Sequence, residues 1–365
     1  MTQTVAIIGG GVVGAAIAYE LSLVEGLKIY LFDRATPASG STGAALGVLM
    51  GAISQKTKGR AWRLRQASLK RYETLIPELE ALTGIHIPFN RQGILMLVLA
   101  GEDLMKWEKL IEVRSKQGWH LEIWDRKQLE KKCPQLQSDR IIAAVYSPQD
   151  RQVHPAILTR ALIAGSQLRG VEGKFGLKVQ NITANKLKEA NSRCCWKIQT
   201  GDGELEVDRL IIAAGLGSTP LTTDLEKPID IRPVLGQALH LKLNSPLGDP
   251  DFQPVITGND VHIVPILPGE YWVGATVEFP NDAGEVEADS TLLEKVRKEA
   301  IDFCPALADA TIISTWSGKR PRPEGVPAPI IDRLPGYSNV FLATGHYRNG
   351  ILLAPATAEI IRSLI

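Results

Sequence analysis

Hydrophobic and polar positions follow two rhythms along this chain. Residues 4–8 form an apolar run opened by Thr4, residues 12–23 repeat apolar side chains at helical spacing, and residues 28–32, apolar after Lys28, form a second strand-like run ending at Asp33. That succession predicts a buried strand, a helix and a second strand, the βαβ grammar of a doubly wound sheet. Farther on, 155–168 reads as a helix and 209–213 as another buried strand. In the second half, 231–243, 260–266 and 271–279 are strand-like runs punctuated by Gly, Pro and Asn, which predict an antiparallel sheet. Residues 292–303 carry the period of an amphipathic helix.

The first turn carries chemistry. Gly9-x-Gly11-x-x-Gly14 joins the first strand to its helix, and Asp33 stands nineteen residues beyond Gly14. Gly9 permits a tight turn, Gly11 lets backbone approach a pyrophosphate, and Gly14 lets helix and sheet pack closely. The helix N-terminus then faces the anion, while Asp33, with Arg34 beside it, faces a ribose diol. A merely structural glycine turn is the alternative. The chain has no second Gly-x-Gly-x-x-Gly, and AAGLGS at 213–218 has the wrong spacing for one. Residues 37–52, PASGSTGAALGVLMGA, are small and uncharged, as backbone pressed against a broad planar ring requires. Their apolar tail argues against a surface loop and favours FAD over NAD.

Composition removes other classes. The 365 residues suffice for two or three domains, and 44% hydrophobic with 22% charged residues is ordinary for a globular protein. With 41 basic and 40 acidic residues, no nucleic-acid partner is implied. Lys56, Lys58, Arg60, Arg63, Arg65, Lys70 and Arg71 fall at helical intervals and read as a solvated helix face. Cys133, Cys194, Cys195 and Cys304 lack zinc spacing, predicting a reduced, cytoplasmic chain without metal. Glycines interrupt the apolar amino terminus and Glu20 ends it, so no signal peptide or transmembrane segment is expected. Peripheral attachment to a membrane and homo-oligomerisation stay open.

VAIIGGGVVGAAIAYELS, STGAALGVL, LIIAAGLGS, VPILPGEYWVGAT and GHYRNGILLAPATAEII occur in this order across the whole length. Together they resemble the D-amino acid oxidase-type FAD-dependent oxidoreductase superfamily, and the last block is most similar to bacterial glycine oxidase. The resemblance implies an α/β plus α+β fold: a discontinuous Rossmann-like FAD-binding domain at 1–85, 154–222 and 318–365, and an antiparallel-sheet substrate domain at 86–153 and 223–317. It implies non-covalent FAD contacted by Thr42, Ala45, Gly47, Val179, Gly215, Gly345, Asn349, Gly350 and Ile351. His346 reads as a structural histidine near the flavin. A helix starting after Gly350 would aim its positive end at the flavin C2 carbonyl.

An enzyme that oxidises an amino acid needs a fixed cation for the carboxylate, and arginine supplies a planar fork that keeps its charge. By resemblance, Arg320 in WSGKRPRP grips that carboxylate and Arg348 lines the same pocket; Arg322, two residues on, is a rival to Arg320. His262 and Val277 stand where glycine oxidases carry a tyrosine and a methionine, and a histidine there can be charged near neutrality. Tyr271 and Trp272 read as core, His240 and His154 as sheet and helix-start residues, Glu285, Glu287 and Asp289 as a solvated loop. His86 and His120 carry no signal. The reading is oxidation of glycine or a small amine acid, with hydride passing to flavin N5 and oxygen or another acceptor taking the electrons. In glycine oxidases the imine can feed thiazole synthesis for thiamine. A D-amino acid dehydrogenase that reduces a quinone or carrier, and a non-enzymatic flavin-binding or assembly protein, remain alternatives.

Overall fold

The computed structural model describes residues 2–186, 193–281 and 284–365. Among these residues two large sheets organise the molecule. The first contains, in spatial order, Ile330–Arg333 (β19), Val340–Thr344 (β20), Arg209–Ile212 (β13), Gln3–Ile8 (β1), Leu27–Asp33 (β2) and Glu172–Phe175 (β9). Neighbours run parallel except β19, which pairs antiparallel with β20. Four consecutive residues of β1, Val5–Ile8, are buried. Burial on both faces is why the strand reads as a continuous apolar run rather than an alternating one.

The second sheet contains Thr311–Pro323 (β18), Ile231–Lys242 (β14), Glu270–Gly274 (β17), Val261–Leu267 (β16), Val255–Gly258 (β15), Ile94–Leu99 (β5), Ile141–Ser147 (β7) and Glu122–Asp125 (β6). Its neighbours are antiparallel except β5 and β15, whose parallel pairing joins the two chain segments that build it. Two small sheets complete the strands: Val179–Lys186 (β10), Arg193–Thr200 (β11) and Gly203–Glu206 (β12), then Val48–Leu49 (β3), Arg151–Val153 (β8) and Phe89–Asn90 (β4). The helices are Val12–Leu21 (α1), Gly59–Thr83 (α2), Met105–Lys116 (α3), Arg126–Lys132 (α4), Pro155–Leu168 (α5), Ser218–Thr222 (α6), Ser290–Phe303 (α7) and Gly350–Leu364 (α8).

Every residue of α1 is buried, because α5 and α8 pack beside it. Its one acid, Glu20, is compensated by Arg71 at 3.0 Å and Arg362 at 3.4 Å. α2 lies across α5 and α8. Pro355 inside α8 cannot donate to Ile351 O four residues back. The Tyr72 hydroxyl, on α2, donates to that carbonyl at 2.5 Å instead. α7 starts at Ser290 because Asp289 Oδ1 accepts the Thr291 N–H at 2.8 Å. Asp289 is therefore a helix cap, and only Glu285 and Glu287 of that acidic group are simply exposed. No helix among the described residues is long and apolar enough to cross a membrane.

Candidate active site

The glycine turn after β1 takes the shape its sequence demands. Gly9 has φ +115°, and a Cβ there would collide with the Ala213 carbonyl of β13's end. A Cβ on Gly14 would strike Gly9 O, so the third glycine sets the helix–sheet distance. Gly11 caps α1 without a side-chain acceptor of its own. Thr42 supplies one from thirty residues away, its Oγ1 accepting the Val12 N–H at 3.1 Å. The other N–H groups of this helix start are left for an anion. Asp33 accepts from Gly10 N at 2.7 Å and Ala35 N at 2.9 Å, one bond per carboxylate oxygen, so each oxygen keeps a lone pair for a diol.

A cavity of about 1450 Å³ begins at this turn, larger than the ~300–1000 Å³ of an ordinary small-ligand pocket. It is lined by Asp33, Arg34 and Val179, by Thr42, Ala45, Gly47 and Gly215, and by Arg320, His262 and Arg348. Gly345, His346, Asn349, Gly350 and Ile351 also border it. The structure thus brings the residues expected for cofactor or substrate to one space, except Gly14, which packs behind the turn against Gly9 O. Gly47 has a reason of its own beside any ligand: at φ +76° its Cβ would overlap the Val153 carbonyl of β8.

The second sheet roofs this trough through β18. Ser41 Oγ donates to Lys319 O at 2.6 Å and Trp316 Nε1 to Ala44 O at 3.1 Å, tying the small-residue loop to the strand. β18 runs unbroken through residue 318, so Arg320 is delivered by a sheet strand rather than a loop. Its guanidinium lies over Gly236 of β14, where a Cβ would collide with it, and its Nη1 donates to Leu235 O at 2.9 Å. Arg320 makes no ion pair among the described residues; burial and the nearby Arg348 lower its pKa. Arg322 faces elsewhere, paired with Glu324 at 3.4 Å and stacked over Phe279, outside the cavity lining.

Arg348 is half-open to solvent and donates to Asp260 Oδ1 at 3.2 Å. It follows Tyr347, whose φ of +52° is an uncommon backbone for a non-glycine residue. Gly345, at φ +66°, makes the preceding turn out of β20. His346 is buried, and its Nε2 lies 2.9 Å from Thr357 Oγ1, which itself donates to Leu353 O. Nε2 therefore carries the proton, and burial pushes this imidazole down to about 3. It is a neutral structural histidine.

His262 differs from the expectation of a charge near neutrality. Burial, reinforced by Arg348 and Arg320 and opposed by Asp260, pushes it down to about 4. It enters the cavity uncharged, with Nδ1 2.7 Å from Thr257 Oγ1. Strand pleat separates the aromatic pair beside it. Tyr271 is buried, its hydroxyl donating to Gln253 Oε1 at 2.9 Å, whereas Trp272 lines the cavity, contrary to the core reading. Trp272 packs edge-on against His154 at 5.1 Å and Trp316 at 5.8 Å. Val277 is absent from the lining, which takes Ala275 instead. His240, also at the wall, is held by Glu270 at 2.9 Å, and His154 caps α5 by accepting the Ile157 N–H.

Sequence reasoning missed Arg65. The reading of residues 56–71 as a solvated face holds for exposed Arg63 and Lys70 but not for Arg65, which is half-buried and lines the cavity. The signal was present: Arg65 stands three, four and seven residues before Ser68, Leu69 and Tyr72, all buried. A charged residue on a buried stripe marks a site more sharply than one among other charges.

A glycine-lined trough that starts at a βαβ turn and ends under a cation-bearing sheet defines a two-sheet dinucleotide-cofactor oxidoreductase. The chain belongs to the FAD-dependent oxidoreductase family DAO, whose model matches residues 4–364. It is 31% identical over 368 residues to a bifunctional protein ThiO/ThiG of Nostoc, covering 100% of this chain but 53% of that protein. The chain thus spans about half the length of its bifunctional relatives. It is 29% identical to glycine oxidase of Bacillus subtilis, covering 98% of this chain and 92% of that one. The crystal structure of glycine oxidase from Geobacillus kaustophilus superposes with a TM-score of 0.86 at 27% identity, covering 100% of this chain and 95% of the other. The residues present fit FAD: the glycine cradle, the α1 start without its own side-chain cap and the cavity's volume all meet what a dinucleotide needs.

Proposed function

We propose that this protein oxidises glycine or a similarly small amine acid to the imino acid, with oxygen as the final acceptor and hydrogen peroxide as the second product. The carrying observation is Arg320, a cation inside the cavity held by a single backbone carbonyl and in no ion pair among the described residues. A guanidinium so placed takes a carboxylate through two parallel hydrogen bonds. Relatives that bear the name glycine oxidase support the size of the amine acid.

Bound FAD supplies the two-electron acceptor for the α-carbon hydride. The chain's own residues bind and orient. Arg320 fixes the carboxylate, and neutral His262 offers a hydrogen bond without adding charge. The two arginines favour the neutral over the ammonium form of the amine, since a like charge nearby lowers an ammonium's pKa. Trp272 and Trp316 exclude water from one wall. In this reading 1–85, 154–222 and 318–365 hold FAD, and 86–153 with 223–317 wall the substrate, β18 spanning the last junction. In this reading FAD is held non-covalently; a cysteinyl link of the kind found in some sarcosine oxidases would need a cysteine in the lining, and none lines the cavity among the described residues. The ThiO/ThiG likeness supports thiazole formation for thiamine as the product's destination.

Anaerobic bleaching of the bound flavin tests this against glycine, sarcosine, D-alanine, D-proline, larger D-acids and L-acids. Glycine or sarcosine should bleach fastest, with peroxide formed on readmitting air. Bleaching by larger D-acids alone, or dye reduction without peroxide, would overturn it.

A further inference from the structure

Arg65, Ser68 and Tyr72 stand on one face of α2, and each touches α8 or its cap residue. Tyr72 fills the gap left by Pro355, and Ser68 Oγ accepts the Ala356 N–H at 3.3 Å. Those two contacts repair a helix. Arg65 repairs nothing comparable. Its Nη1 donates to Ala61 O of its own helix at 2.9 Å, its Nη2 to Asn349 Oδ1 at 3.3 Å, and its buried Nε has no partner. A guanidinium has five N–H donors, so most of them are uncommitted.

No carboxylate is in contact with Arg65 among the described residues. The acid that acts on it, Asp150, is committed elsewhere, accepting the N–H groups of Gly51, Ala52 and Ile53 at 2.7–2.8 Å. An enclosed cation with spare donors costs free energy unless something else uses them. Asn349, which receives Arg65, is the cap residue of α8 and makes no side-chain bond to the helix start; Gly350 and Ile351 then border the cavity. Through Asn349 the Arg65 charge is brought to the positive end of α8, while Arg320 and Arg348 act on each other and on His262.

We propose that Arg65 is an anion-stabilising residue of the cavity. Its free donors and charge act with the start of α8 on an electron-rich oxygen or nitrogen at the ring end of the bound cofactor, where negative charge collects on two-electron reduction. This rests on the FAD reading but not on which amine acid is oxidised. A substrate carboxylate has the same chemistry, and the test separates the two.

The flavin-loaded wild type, Arg65→Met, Arg65→Gln and Arg65→Lys are titrated with sulfite, whose addition to flavin puts negative charge on the ring, and with acetate, a carboxylate without an amine. Flavin midpoint potentials are measured alongside. Arg65→Met and Arg65→Gln should weaken sulfite binding by at least about tenfold, the loss expected for a charged hydrogen bond, and lower the potential. Acetate affinity should stay unchanged, and Arg65→Lys should recover most of the sulfite affinity. Gln keeps an amide donor for Asn349, so a loss shared by Met and Gln comes from the charge, not from repacking. Unchanged sulfite affinity and potential in folded Gln and Met variants would overturn the proposal, as would a loss confined to acetate. A wild type that holds no flavin would sink it together with the FAD reading. Failure to oxidise glycine would sink only the substrate assignment.

Discussion

Arg320 and Arg348 come from different elements and have different neighbours. Arg348 already has Asp260 at 3.2 Å, in an exposed pair that is worth little. Arg320 has only Leu235 O. A substrate carboxylate therefore gains most at Arg320, and Arg320→Ala should lower kcat/KM by at least about 100-fold, about 3 kcal/mol of transition-state stabilisation, with FAD content unchanged. Steady-state kinetics on the flavin-loaded variant checks this, and a near-normal kcat/KM would remove Arg320 from the site. At this scale the sequence told much about glycines and less about side chains. Gly9 and Gly14 were legible because sterics dictates them locally. Asp260 and Arg65 were not, since their meaning depends on partners 88 and 284 positions away. Trp272 was misread because strand alternation does not reveal which face is the core.

At the scale of elements, the α2–α8 contact holds the start of α8 where it borders the cavity. The sequence announced α8 and its motif, but the Ile351 carbonyl that Pro355 leaves unpaired was not read from it. Nothing local indicated that Tyr72 would supply the missing donor. Tyr72→Phe removes one hydroxyl from a fully buried position and leaves the Ile351 carbonyl without a donor. That should cost about 1–3 kcal/mol, the penalty for orphaning a buried acceptor. Thermal unfolding of the flavin-loaded protein checks the magnitude. If FAD lies as proposed, flavin absorption should shift as well, since Ile351 is in the first turn of α8, which borders the cavity. A variant with unchanged Tm and spectrum would show that water fills the gap and that α8 is held by apolar packing alone. β18 gives the same lesson from the other sheet: no strand was read at 311–323, and neither its pairing with β14 nor the Ser41 and Trp316 tethers that set its height over the trough were legible.

For the whole molecule, the electrostatic consequence of burying two histidines is a dependence of stability on pH. His262 and His346 have pKa values pushed from 6.5 down to about 4 and about 3, chiefly by burial. The unfolded chain therefore binds protons that the folded chain refuses. Their stability contribution is complete above pH 6.5, and it is lost progressively as pH falls through the window toward the folded values. His346, fully enclosed, should account for about 2 kcal/mol between pH 6.5 and about 4.5; His262, which faces the cavity, should account for less. His346→Gln keeps a donor for Thr357 and cannot titrate. Its Tm should fall less steeply than that of the wild type over the same window, although it starts somewhat lower. Parallel Tm profiles for the two proteins would mean that His346 reaches solvent and accepts a proton in the folded state. Carboxylates such as Glu78, lowered by Arg71 and Tyr19 despite partial burial, lose their contribution only at more acid pH. The histidine window is thereby separable from general acid unfolding, and the difference between the two profiles isolates one buried ring.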